Sequence, residues 1–501
     1  MKVLLIGSGG REHAIAEMMR RSASEELKLY VAMDYLNPGL RKVAEASNGA
    51  TFITETTNAG KILSLAEKLS PDLIVVGPEE PQFAGVPDVL REEGYTVFGS
   101  DSKCSEIERS KVYARSIMWK HSIPGRLFFK AFKSVEEARE FMEFAGDVVL
   151  KPARQVGGKG VKVLKDSKAY LSDSVSEVKK SYVDILYKEM LGHDDVDYKV
   201  LVEQRVEGVE YTVQVITDGS TALPLPAIQD HPHAYEYDVG PETGGMGSVM
   251  GPGLTLPFLT YEEYRRSVDI VKEVVDALGR EGCSSYRGVL AGQMMLTGVW
   301  GPTVIEFYSR FGDPEISNLV PALRSDFLNV LDKAAEGRLA NAKLEIAEDL
   351  VTIVKAVAPV GYPNDKRLAA GHPIRIDEAA ILSEGCIPLY ASVELSSDGT
   401  LYTRGSRAVE IVCSGSDYRE AYLKSEKAVE HVKALDGWPL FHRSDIGSAE
   451  LLNYRVKVAE KVRRVYTSRA KRGMLGKTLL WIPGEGVLSN PLISDVKVGR
   501  S

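Results

Sequence analysis

The sequence has few cysteines, and they form none of the patterns seen in metal or disulfide proteins. Its 501 residues include four, and they lie far apart: Cys104, Cys283, Cys386 and Cys413. Without a Cys-x-x-Cys pair, neither a zinc site nor a disulfide framework is indicated. We therefore expect a protein of a reducing cytoplasm.

Long apolar runs and an excess of positive charge are also absent. No segment approaches the ~18 apolar residues that a membrane-spanning helix needs. The apolar run after Lys2 is broken by Gly7, too early for a signal peptide. The net charge of -8 argues against general affinity for nucleic acid. We expect neither a membrane nor a nucleic acid as a partner, so an anionic ligand needs local cations.

The length indicates several domains, because 501 residues exceed the ~150 of an ordinary domain. Strands alternate with helices over the first hundred or so residues, which predicts a doubly wound parallel sheet. From about 104 the pattern changes. A single helix is predicted over Asn318–Glu336, β segments follow it, and a tail beyond about 448 is dense in Arg and Lys.

The most informative segment is Val304–Glu315, where an apolar strand leads into a run of charged residues. Alternate side chains of a strand face opposite ways, so Glu306 and Tyr308 are expected to project toward a cleft. Gly and Pro residues then place the remaining charges on a turn. The alternative is an exposed strand end with a local salt bridge between Arg310 and Asp313.

The amino-terminal glycine turn differs from the dinucleotide fingerprint G-x-G-x-x-G, because Glu12 occupies the last glycine position. A helix N-terminus aimed at an anion remains, and Arg11 adds a donor suited to a phosphate. Ligands of such sheets bind beyond the carboxyl ends of the strands. Three segments are predicted to meet there: Gly9-Gly10-Arg11, Asn37-Pro38-Gly39 and Pro78-Glu79-Glu80.

A second glycine run follows the strand that ends at Lys151. Its free backbone N–H groups and one lysine suit the covering of a triphosphate, although a plain hairpin turn is the alternative. It is no Walker A element, because the lysine is followed by glycine, so a metal would be held elsewhere, with Glu306 as the candidate. The run consists of Gly157, Gly158, Lys159 and Gly160.

Two further segments carry candidate binding groups. Glu203 and Glu210 frame an apolar β element, and one carboxylate there could accept both hydroxyls of a ribose, unless the pair is merely solvated. The polar, glycine-rich stretch Gln229–Gly247 is long for a loop and is therefore predicted to be functional. Its histidines, His231 and His233, lack a third ligand at metal-binding spacing, so ordinary loop residues are favoured.

Eight motifs, taken in order, resemble the phosphoribosylamine–glycine ligases, also called glycinamide ribonucleotide synthetases, within the ATP-grasp ligases. The motifs are Gly9-Gly10-Arg11-Glu12-His13-Ala14, Asn37-Pro38-Gly39, Val76-Gly77-Pro78-Glu79, Ser110-Lys111, Gly158-Lys159-Gly160-Val161, Gln229-Asp230-His231, Thr243-Gly244-Gly245-Met246-Gly247 and Arg310-Phe311-Gly312-Asp313-Pro314-Glu315. Gly361-Tyr362-Pro363 and Arg443-Ser444-Asp445-Ile446-Gly447 extend the resemblance to about residue 447.

The resemblance implies an α/β multidomain fold. A Rossmann-like sheet domain would span residues 1–103, and an ATP-grasp core 104–330, with a mobile lid at about 123–190. A β-rich carboxyl-terminal domain would span 331–447, followed by a basic extension over 448–501. The implied reaction joins glycine to 5-phosphoribosylamine with ATP, through a glycyl phosphate, and gives glycinamide ribonucleotide, ADP and phosphate in purine synthesis. We expect a monomer or weak homo-oligomer.

The resemblance also implies a role for each site residue. Arg310, Asp313 and Asp230 would face glycine as catalytic residues. Glu306, supplemented by Gln293, would hold Mg²⁺ or Mn²⁺. ATP would be bound by Lys111, Lys151, Gly157, Gly158, Lys159, Gly160, Glu203 and Glu210. The substrates would contact Gly9, Gly10, Arg11, Asn37, Glu79, Gly244, Gly245 and Glu315.

Four positions depart from the family pattern. Tyr308 stands where the family generally has a metal-binding Asn, and a neutral phenol is a poor ligand for a hard cation. Pro232 and His233 replace a usual Lys-Arg, and Glu242 replaces a common Asn. Two alternatives follow: another ATP-grasp carboxylate ligase, because fold alone does not decide the substrate, or an ATP-binding regulator without turnover.

Overall fold

The structure is a computed structural model that describes residues 1–154, 161–164, 172–283, 286–477, 479–482 and 486–489. The chain divides into two compact units, each built from three segments. The first unit comprises Met1–Ser105, Glu210–Gly292 and Tyr308–Lys457. The second comprises Glu106–Val209, Gln293–Phe307 and Val458–Ser501.

The helices of the described residues are, in chain order, α1 (Gly10–Ser22), α2 (Pro38–Ala46), α3 (Ala59–Leu69), α4 (Glu79–Phe83), α5 (Val86–Glu92), α6 (Ser102–Arg109), α7 (Lys111–Lys120), α8 (Val135–Phe144), α9 (Ser172–Met190), α10 (Tyr261–Arg280), α11 (Phe327–Glu336), α12 (Glu378–Ser383), α13 (Tyr418–Val429) and α14 (Ala449–Lys471). Short 3-10 helices span Glu236–Asp238, Glu315–Leu319 and Leu339–Asn341.

The strands of the described residues are β1 (Lys2–Ile6), β2 (Lys28–Met33), β3 (Ala50–Ile53), β4 (Leu73–Val76), β5 (Val97–Phe98), β6 (Phe129–Phe132), β7 (Val148–Pro152), β8 (Lys162–Leu164), β9 (Val200–Gln204), β10 (Gly208–Thr217), β11 (Ala222–Pro224), β12 (Ile228–Asp230), β13 (His233–Tyr235), β14 (Val239–Glu242), β15 (Gly247–Met250), β16 (Gly288–Thr297), β17 (Gly301–Tyr308), β18 (Val351–Pro359), β19 (Ala370–Ile376), β20 (Cys386–Tyr390), β21 (Val393–Leu395), β22 (Leu401–Arg404), β23 (Val409–Gly415), β24 (Val432–Ala434), β25 (Leu440–Phe441), β26 (Leu479–Ile482) and β27 (Gly486–Ser489).

The amino-terminal part of the first unit is a parallel sheet with strand order β3-β2-β1-β4-β5. Val3 pairs with Leu29 on one side and with Leu73 on the other, and all three side chains are fully buried. Their apolar runs suit strands that helices cover on both faces. The predicted doubly wound sheet is therefore confirmed. The turns after β1, β2 and β4 lead into the predicted ligand segments.

The remainder of the first unit is mainly antiparallel. Strands β10, β12, β15, β18, β23 and β20 follow one another in that order, and a smaller sheet has the order β21-β22-β19-β24. The prediction of one helix over Asn318–Glu336 was wrong. A 3-10 helix ends at Leu319, and α11 begins only after Asp326, whose side chain accepts a hydrogen bond from Asn329 N. This cap starts a new helix.

In the second unit, four antiparallel strands have the order β6-β9-β7-β8, and α8 and α9 pack on them. Lys151 of β7 lies opposite Leu201 of β9, and Glu203 lies opposite Val149. Because directly opposed residues share a face and alternate residues along a strand do too, Lys151 and Glu203 project from the same face. This register places a cation beside a carboxylate.

The cysteine spacing indicated no disulfide, and this prediction was wrong. All four are paired, Cys104 with Cys283 and Cys386 with Cys413. The second pair lies directly across β20 and β23, whereas the first joins segments 179 residues apart. Sequence spacing missed both pairs because tertiary contacts bring the partners together. Among the described helices, none is both long and apolar enough to cross a membrane.

Candidate functional site

The turn before α1 places charged groups at the start of a helix. Gly9 is the residue before the helix, and its N–H donates to Glu12 Oε2 at 2.7 Å. A Cβ at Gly7 or Gly77 would lie 2.5 and 2.3 Å from Glu12 atoms, so these glycines make room for the carboxylate. Glu12 therefore fills the space that a nucleotide fingerprint keeps open, in agreement with the sequence argument.

Arg11, Glu79 and Arg310 form one ion cluster in the first unit. Arg11 Nη1 lies 3.3 Å from Glu79 Oε2, and Arg310 Nε lies 3.2 Å from the same oxygen. Arg11 Nη1 also donates to Phe311 O at 3.4 Å. Burial alone would raise the pKa of Glu79, but the two guanidinium groups outweigh it and lower the pKa. The amino-terminal turn and the Arg310–Glu315 segment thus meet, as predicted.

Asp313 pairs with an arginine distant in sequence. Its Oδ1 lies 2.6 Å from Arg407 Nη2. Burial would raise the pKa of Asp313, but Arg407 and a hydrogen bond from Glu410 lower it to about 2. Arg310 pairs with Glu79, and its positive charge also helps to lower the pKa of Asp313. The charged residues of this segment are therefore part of a larger ion cluster and not an isolated strand end. Asp313 is held as an anion.

Arg407 also fixes the loop that contains Gly244 and Gly245. Its Nη1 donates to the carbonyl oxygens of Gly244, Gly245 and Asp313 at 3.1, 3.0 and 3.1 Å. The N–H of Gly244 donates to the hydroxyl of Tyr362 at 2.9 Å. At Gly245 the φ of +105° and a Cβ position 2.7 Å from Pro314 Cδ both require glycine. One guanidinium therefore joins the glycine loop to the Asp313 turn.

Glu315 and Asp230 form a second pair of acidic groups in the first unit. Glu315 Oε1 accepts a hydrogen bond from Thr212 Oγ1 at 3.1 Å. Burial, and after it the negative charge of Asp230, raise the pKa of Glu315 to about 7. A carboxyl group with such a pKa can exchange a proton near neutral pH.

The side chain of Asn37 is occupied by the protein. Its Oδ1 accepts from Gly39 N and Leu40 N at the start of α2, and its Nδ2 donates to Ser8 O and Tyr390 O, both at 2.9 Å. The residue is fully buried. Asn37 therefore shapes the turn, and a direct contact between its amide and a substrate stays a prediction.

A cleft in the second unit contains the predicted phosphate-binding lysines. Lys111 Nζ lies 2.9 Å from Glu306 Oε1, and Lys151 Nζ lies 3.6 Å from the same oxygen. Lys111 follows Ser110, whose hydroxyl caps α7, and Glu306 lies on β17. Burial would raise the pKa of Glu306, but the two lysines lower it. This cleft holds two cations and an ionised carboxylate.

Glu203 is buried beneath this cleft and binds two cations of the protein. Its Oε2 lies 2.9 Å from Lys151 Nζ and 3.2 Å from Arg115 Nη2. Burial would raise its pKa, but Arg115 and Lys151 lower it to about 2. Since Glu203 is 1% exposed, its carboxylate orients Lys151. A ribose contact by Glu203, one of the two options considered, is disfavoured by this geometry.

The donor set of the second unit suits a hard cation. Glu306 offers a carboxylate, and Gln293 is a buried amide on β16, the neighbour of β17. Both are oxygen donors of the kind that magnesium prefers. Tyr308 belongs to the first unit, where the guanidinium of Arg310 lies 4.4 Å from its ring centroid. Its ring therefore contacts a cation of the protein.

His231 and His233 contact the protein itself and do not form a metal-binding group among the described residues. His231 is buried, and burial together with Arg443 and Arg455 lowers its pKa to about 3. His233 Nδ1 lies 3.2 Å from Gly240 O. Over the described ranges, one group of metal-ligand side chains is close enough for an ion, Asp101, Cys104 and Cys283, and its cysteines are disulfide-bonded.

Several predicted contacts remain untested by the structure. The run Gly157, Gly158, Lys159 and Gly160 lies outside the described residues. Glu210 is half-buried on β10 of the first unit, and its carbonyl accepts from Gln229 Nε2 at 3.5 Å. Sequence reasoning missed Arg115, Arg407 and Glu410, because nothing in their local sequence marks a buried charge that pairs with distant residues.

Three family models together match residues 1–316 and 352–449 of the chain. They are the phosphoribosylglycinamide synthetase N domain at residues 1–108, the ATP-grasp (A) domain at 109–316 and the C domain at 352–449. A phosphoribosylamine–glycine ligase of Methanopyrus kandleri is 41% identical over 464 residues, covering 92% of this chain and 99% of the relative. One of Pyrococcus horikoshii is 39% identical over 467 residues, covering 92% and 98%.

Solved structures agree with these matches. The phosphoribosylamine–glycine ligase of Thermotoga maritima is 25% identical with a TM-score of 0.70, and the match covers 89% of this chain and 100% of that one. A biotin carboxylase of Campylobacter jejuni in complex with β-γ-ATP is 14% identical with a TM-score of 0.66, covering 92% and 98%. At that identity the likeness shows the fold alone.

Proposed function

The chain belongs to the phosphoribosylglycinamide synthetase family, and from this premise we propose which residues bind each substrate. The enzyme is an ATP-dependent ligase that joins glycine to 5-phosphoribosylamine in purine biosynthesis and gives glycinamide ribonucleotide, ADP and phosphate. The observation that carries the residue assignments is the Arg11–Glu79–Arg310 cluster, in which one half-buried carboxylate joins the amino-terminal glycine turn to the Arg310–Glu315 segment.

The phosphoribosylamine side of the site is the start of α1. The backbone N–H group of Gly10 and the guanidinium of Arg11 would receive the phosphate, since a helix N-terminus and an arginine both favour anions. Gly9, whose N–H donates to Glu12, would shape the turn that contacts the substrate. Glu79 would hold Arg11 in place and contact the sugar, and Asn37 would support the turn. The amine of the sugar must be uncharged to attack, which requires a nearby acceptor for its proton.

Glycine would bind beside this turn. Its carboxylate would pair with Arg310, and its amine with the anion of Asp313, aided by Asp230, by Glu315 and by the backbone of Gly244 and Gly245. A carboxylate is a poor electrophile, so its oxygen would first attack the γ-phosphoryl group of ATP to form glycyl phosphate. The amine of the sugar then attacks that acyl carbon and phosphate leaves. Keeping water from the acyl phosphate is essential.

The nucleotide would bind in the second unit. Lys111 and Lys151 would hold its phosphates, Gly157, Gly158, Lys159 and Gly160 would cover them, and Glu210 would bind the ribose. ATP-grasp ligases use ATP with a divalent metal ion, and we assign Mg²⁺ or Mn²⁺ to Glu306 and Gln293. The ion supplies neutralisation of phosphate charge during phosphoryl transfer.

Glycine-dependent ADP release with freshly prepared phosphoribosylamine tests this proposal. Release with glycine, and none with other amino acids or with bicarbonate, supports it. Release with another carboxylate would favour a different ATP-grasp ligase. Tight nucleotide binding without any glycine-dependent ADP would favour a regulator.

The remaining expectations are proposals too. The family acts on small molecules, and we place the enzyme in the cytoplasm as a monomer or weak homo-oligomer, without a nucleic-acid or membrane partner. Because both cysteine pairs are bonded, the cysteines no longer support this placement. The domain bounds 1–103, 104–330, 331–447 and 448–501 are testable by limited proteolysis, and light scattering gives the assembly state.

A further inference from the structure

The helix α14 begins where the matched C-domain model ends, at residue 449. Its first turns supply Arg455, which is half-buried in the first unit. The guanidinium of Arg455 forms a salt bridge with Asp238 Oδ2. Asp238 lies, with Gly244 and Gly245, in the segment Gln229–Gly247 that the sequence predicts to be a loop, and the short strand β14 joins it to these glycines. The proposed function assigns glycine to Gly244 and Gly245. A residue outside the three matched domain models therefore contacts the substrate loop.

The loop has an unusual backbone at this contact. Tyr237 and Asp238 both have a φ of +59°, a left-handed conformation that residues other than glycine seldom adopt. A residue in this conformation is strained, and the conformation persists only where neighbouring groups hold it. The neighbours here are charged side chains from the carboxyl-terminal part of the first unit.

The fully buried Arg443 and its partner Asp445 make three of the contacts that hold this segment. Arg443 Nη1 lies 3.1 Å from Asp238 Oδ1 and donates to His233 O at 3.1 Å. The guanidinium of Arg443 also makes two hydrogen bonds to Asp445, at 2.9 and 2.7 Å. Asp445 Oδ2 in turn accepts from Tyr237 N at 2.8 Å. Asp238 is thus bound on one oxygen by Arg443 and on the other by Arg455.

The other end of the loop is fixed independently. Arg407 binds the carbonyl oxygens of Gly244 and Gly245, and Tyr362 binds the N–H of Gly244. Six residues separate Asp238 from Gly245. A segment this short, held at both ends, has few conformations left, so the position of Asp238 limits where the two glycines can lie.

We propose that Arg455 is a positioning residue for glycine binding, acting through Asp238 to keep the loop that contains Gly244 and Gly245 in its binding conformation. This inference rests on the proposed function of that loop. The basic carboxyl-terminal helix then has a defined task in the first unit, in addition to packing against its own chain. Arg455 itself touches no substrate.

The test compares three variants of the full-length enzyme. Arg455→Ala removes the charge and the hydrogen bonds, Arg455→Lys keeps the charge, and Arg464→Ala removes an exposed arginine from the same helix. We expect Arg455→Ala to raise the KM for glycine by about tenfold, the scale of a modest misplacement, with the KM for ATP within about twofold. Arg455→Lys should recover part of this loss, and Arg464→Ala should match the wild type.

Hydrogen exchange gives a readout that does not depend on activity. Backbone amides of residues 236–245 should exchange faster in Arg455→Ala than in the wild type. Their exchange rates in Arg464→Ala should equal those of the wild type. Unchanged exchange and an unchanged KM for glycine would overturn the inference, as would an equal rise of every KM. Absence of glycine-dependent ADP in the wild type would instead overturn the proposed function, and the exchange experiment would still test the loop contact.

Discussion

Asp313 and Glu410 share one guanidinium in the interior of the first unit: Arg407 Nη2 lies 2.6 Å from Asp313 Oδ1, and Arg407 Nη1 lies 3.8 Å from Glu410 Oε1. Glu410 is fully buried, and Ser317 Oγ donates to its other oxygen at 2.6 Å. Burial, and after it the charge of Asp313, raise the pKa of Glu410 well above its usual value, whereas Arg407 keeps Asp313 ionised. Two adjacent carboxyl groups share one proton most easily, and here Glu410 carries it.

Replacing Glu410 tests this sharing of a proton. Glu410→Gln keeps a donor for Asp313, so its thermal stability at pH 8 should equal or exceed that of the wild type. Glu410→Ala removes the donor and leaves Asp313 short of one hydrogen bond, a loss of about 1–3 kcal/mol. Thermal melts of both variants measure the difference. Equal destabilisation by Gln and Ala would show that Glu410 is not protonated.

Arg11→Ala should impair the use of phosphoribosylamine far more than the use of ATP. The guanidinium lies in the amino-terminal turn, whereas the lysines assigned to the nucleotide belong to the second unit. We expect the KM for phosphoribosylamine to rise by about tenfold or more, as for loss of a charged hydrogen bond. Arg20→Ala, a partly exposed position on the same helix, is the control. Equal changes of both KM values would contradict the assignment.

Glu306→Gln should remove most turnover and leave the fold intact. The substitution preserves shape but removes the charge that faces Lys111 and Lys151 and that is assigned to the metal. We expect kcat to fall by about a hundredfold or more, as for loss of one electrostatic group in phosphoryl transfer. Steady-state kinetics across metal concentrations and circular dichroism give the readouts, with Glu207→Gln as an exposed control. Wild-type kinetics at limiting metal would refute the role.

Stability should depend on pH through Glu315, whose pKa is raised from 4.5 to about 7. Below pH 4.5 both folded and unfolded states are protonated, and the group has no effect. Between pH 4.5 and about 7 the unfolded state has lost the proton while the folded state keeps it, so the stability of the folded state decreases over this range and is constant above it. Glu315→Gln removes this loss, on the order of 3 kcal/mol at about 1.4 kcal/mol per pKa unit.

Thermal melts from pH 4 to pH 8 check this dependence. The advantage of Glu315→Gln over the wild type should grow between pH 4.5 and about 7 and then stay constant. Glu348→Gln, at an exposed site, should show no such growth. A difference that does not vary with pH would mean that the carboxyl group titrates normally in the folded protein.

Reduction of the disulfides should lower thermal stability. In the chain-entropy account, a disulfide stabilises the fold by reducing the entropy of the unfolded chain. A loop of 179 residues closed in this way contributes about 5 kcal/mol, and a loop of 27 residues about 3.5 kcal/mol. The double variant Cys104→Ser with Cys283→Ser should therefore melt lower than Cys386→Ser with Cys413→Ser. Thiol titration of the unfolded wild type should find free thiols only after reductant. Four free thiols without reductant would refute both pairs.

Local sequence was sufficient for the strands and turns of the amino-terminal sheet. The apolar runs in β1 and β4 and the glycine turn before Arg11 follow from local preferences and from burial on both faces. The sequence analysis did not assign the helix caps Ser110, before α7, and Asn37, before α2, although serine and asparagine favour that position. The prediction failed at Asn318–Glu336, where a cap at Asp326 interrupts a segment that looks uniformly helical.

The sequence by itself determined the sheet, the family and the kinds of charged group that the site contains, because short motifs and alternation of apolar residues are local properties. Tertiary structure decided the partner of each charge. Arg310 binds Glu79, Asp313 binds Arg407, and distant cysteines become disulfides. Pairing energies depend on distance in space and on burial, and neither can be read from separation along the chain.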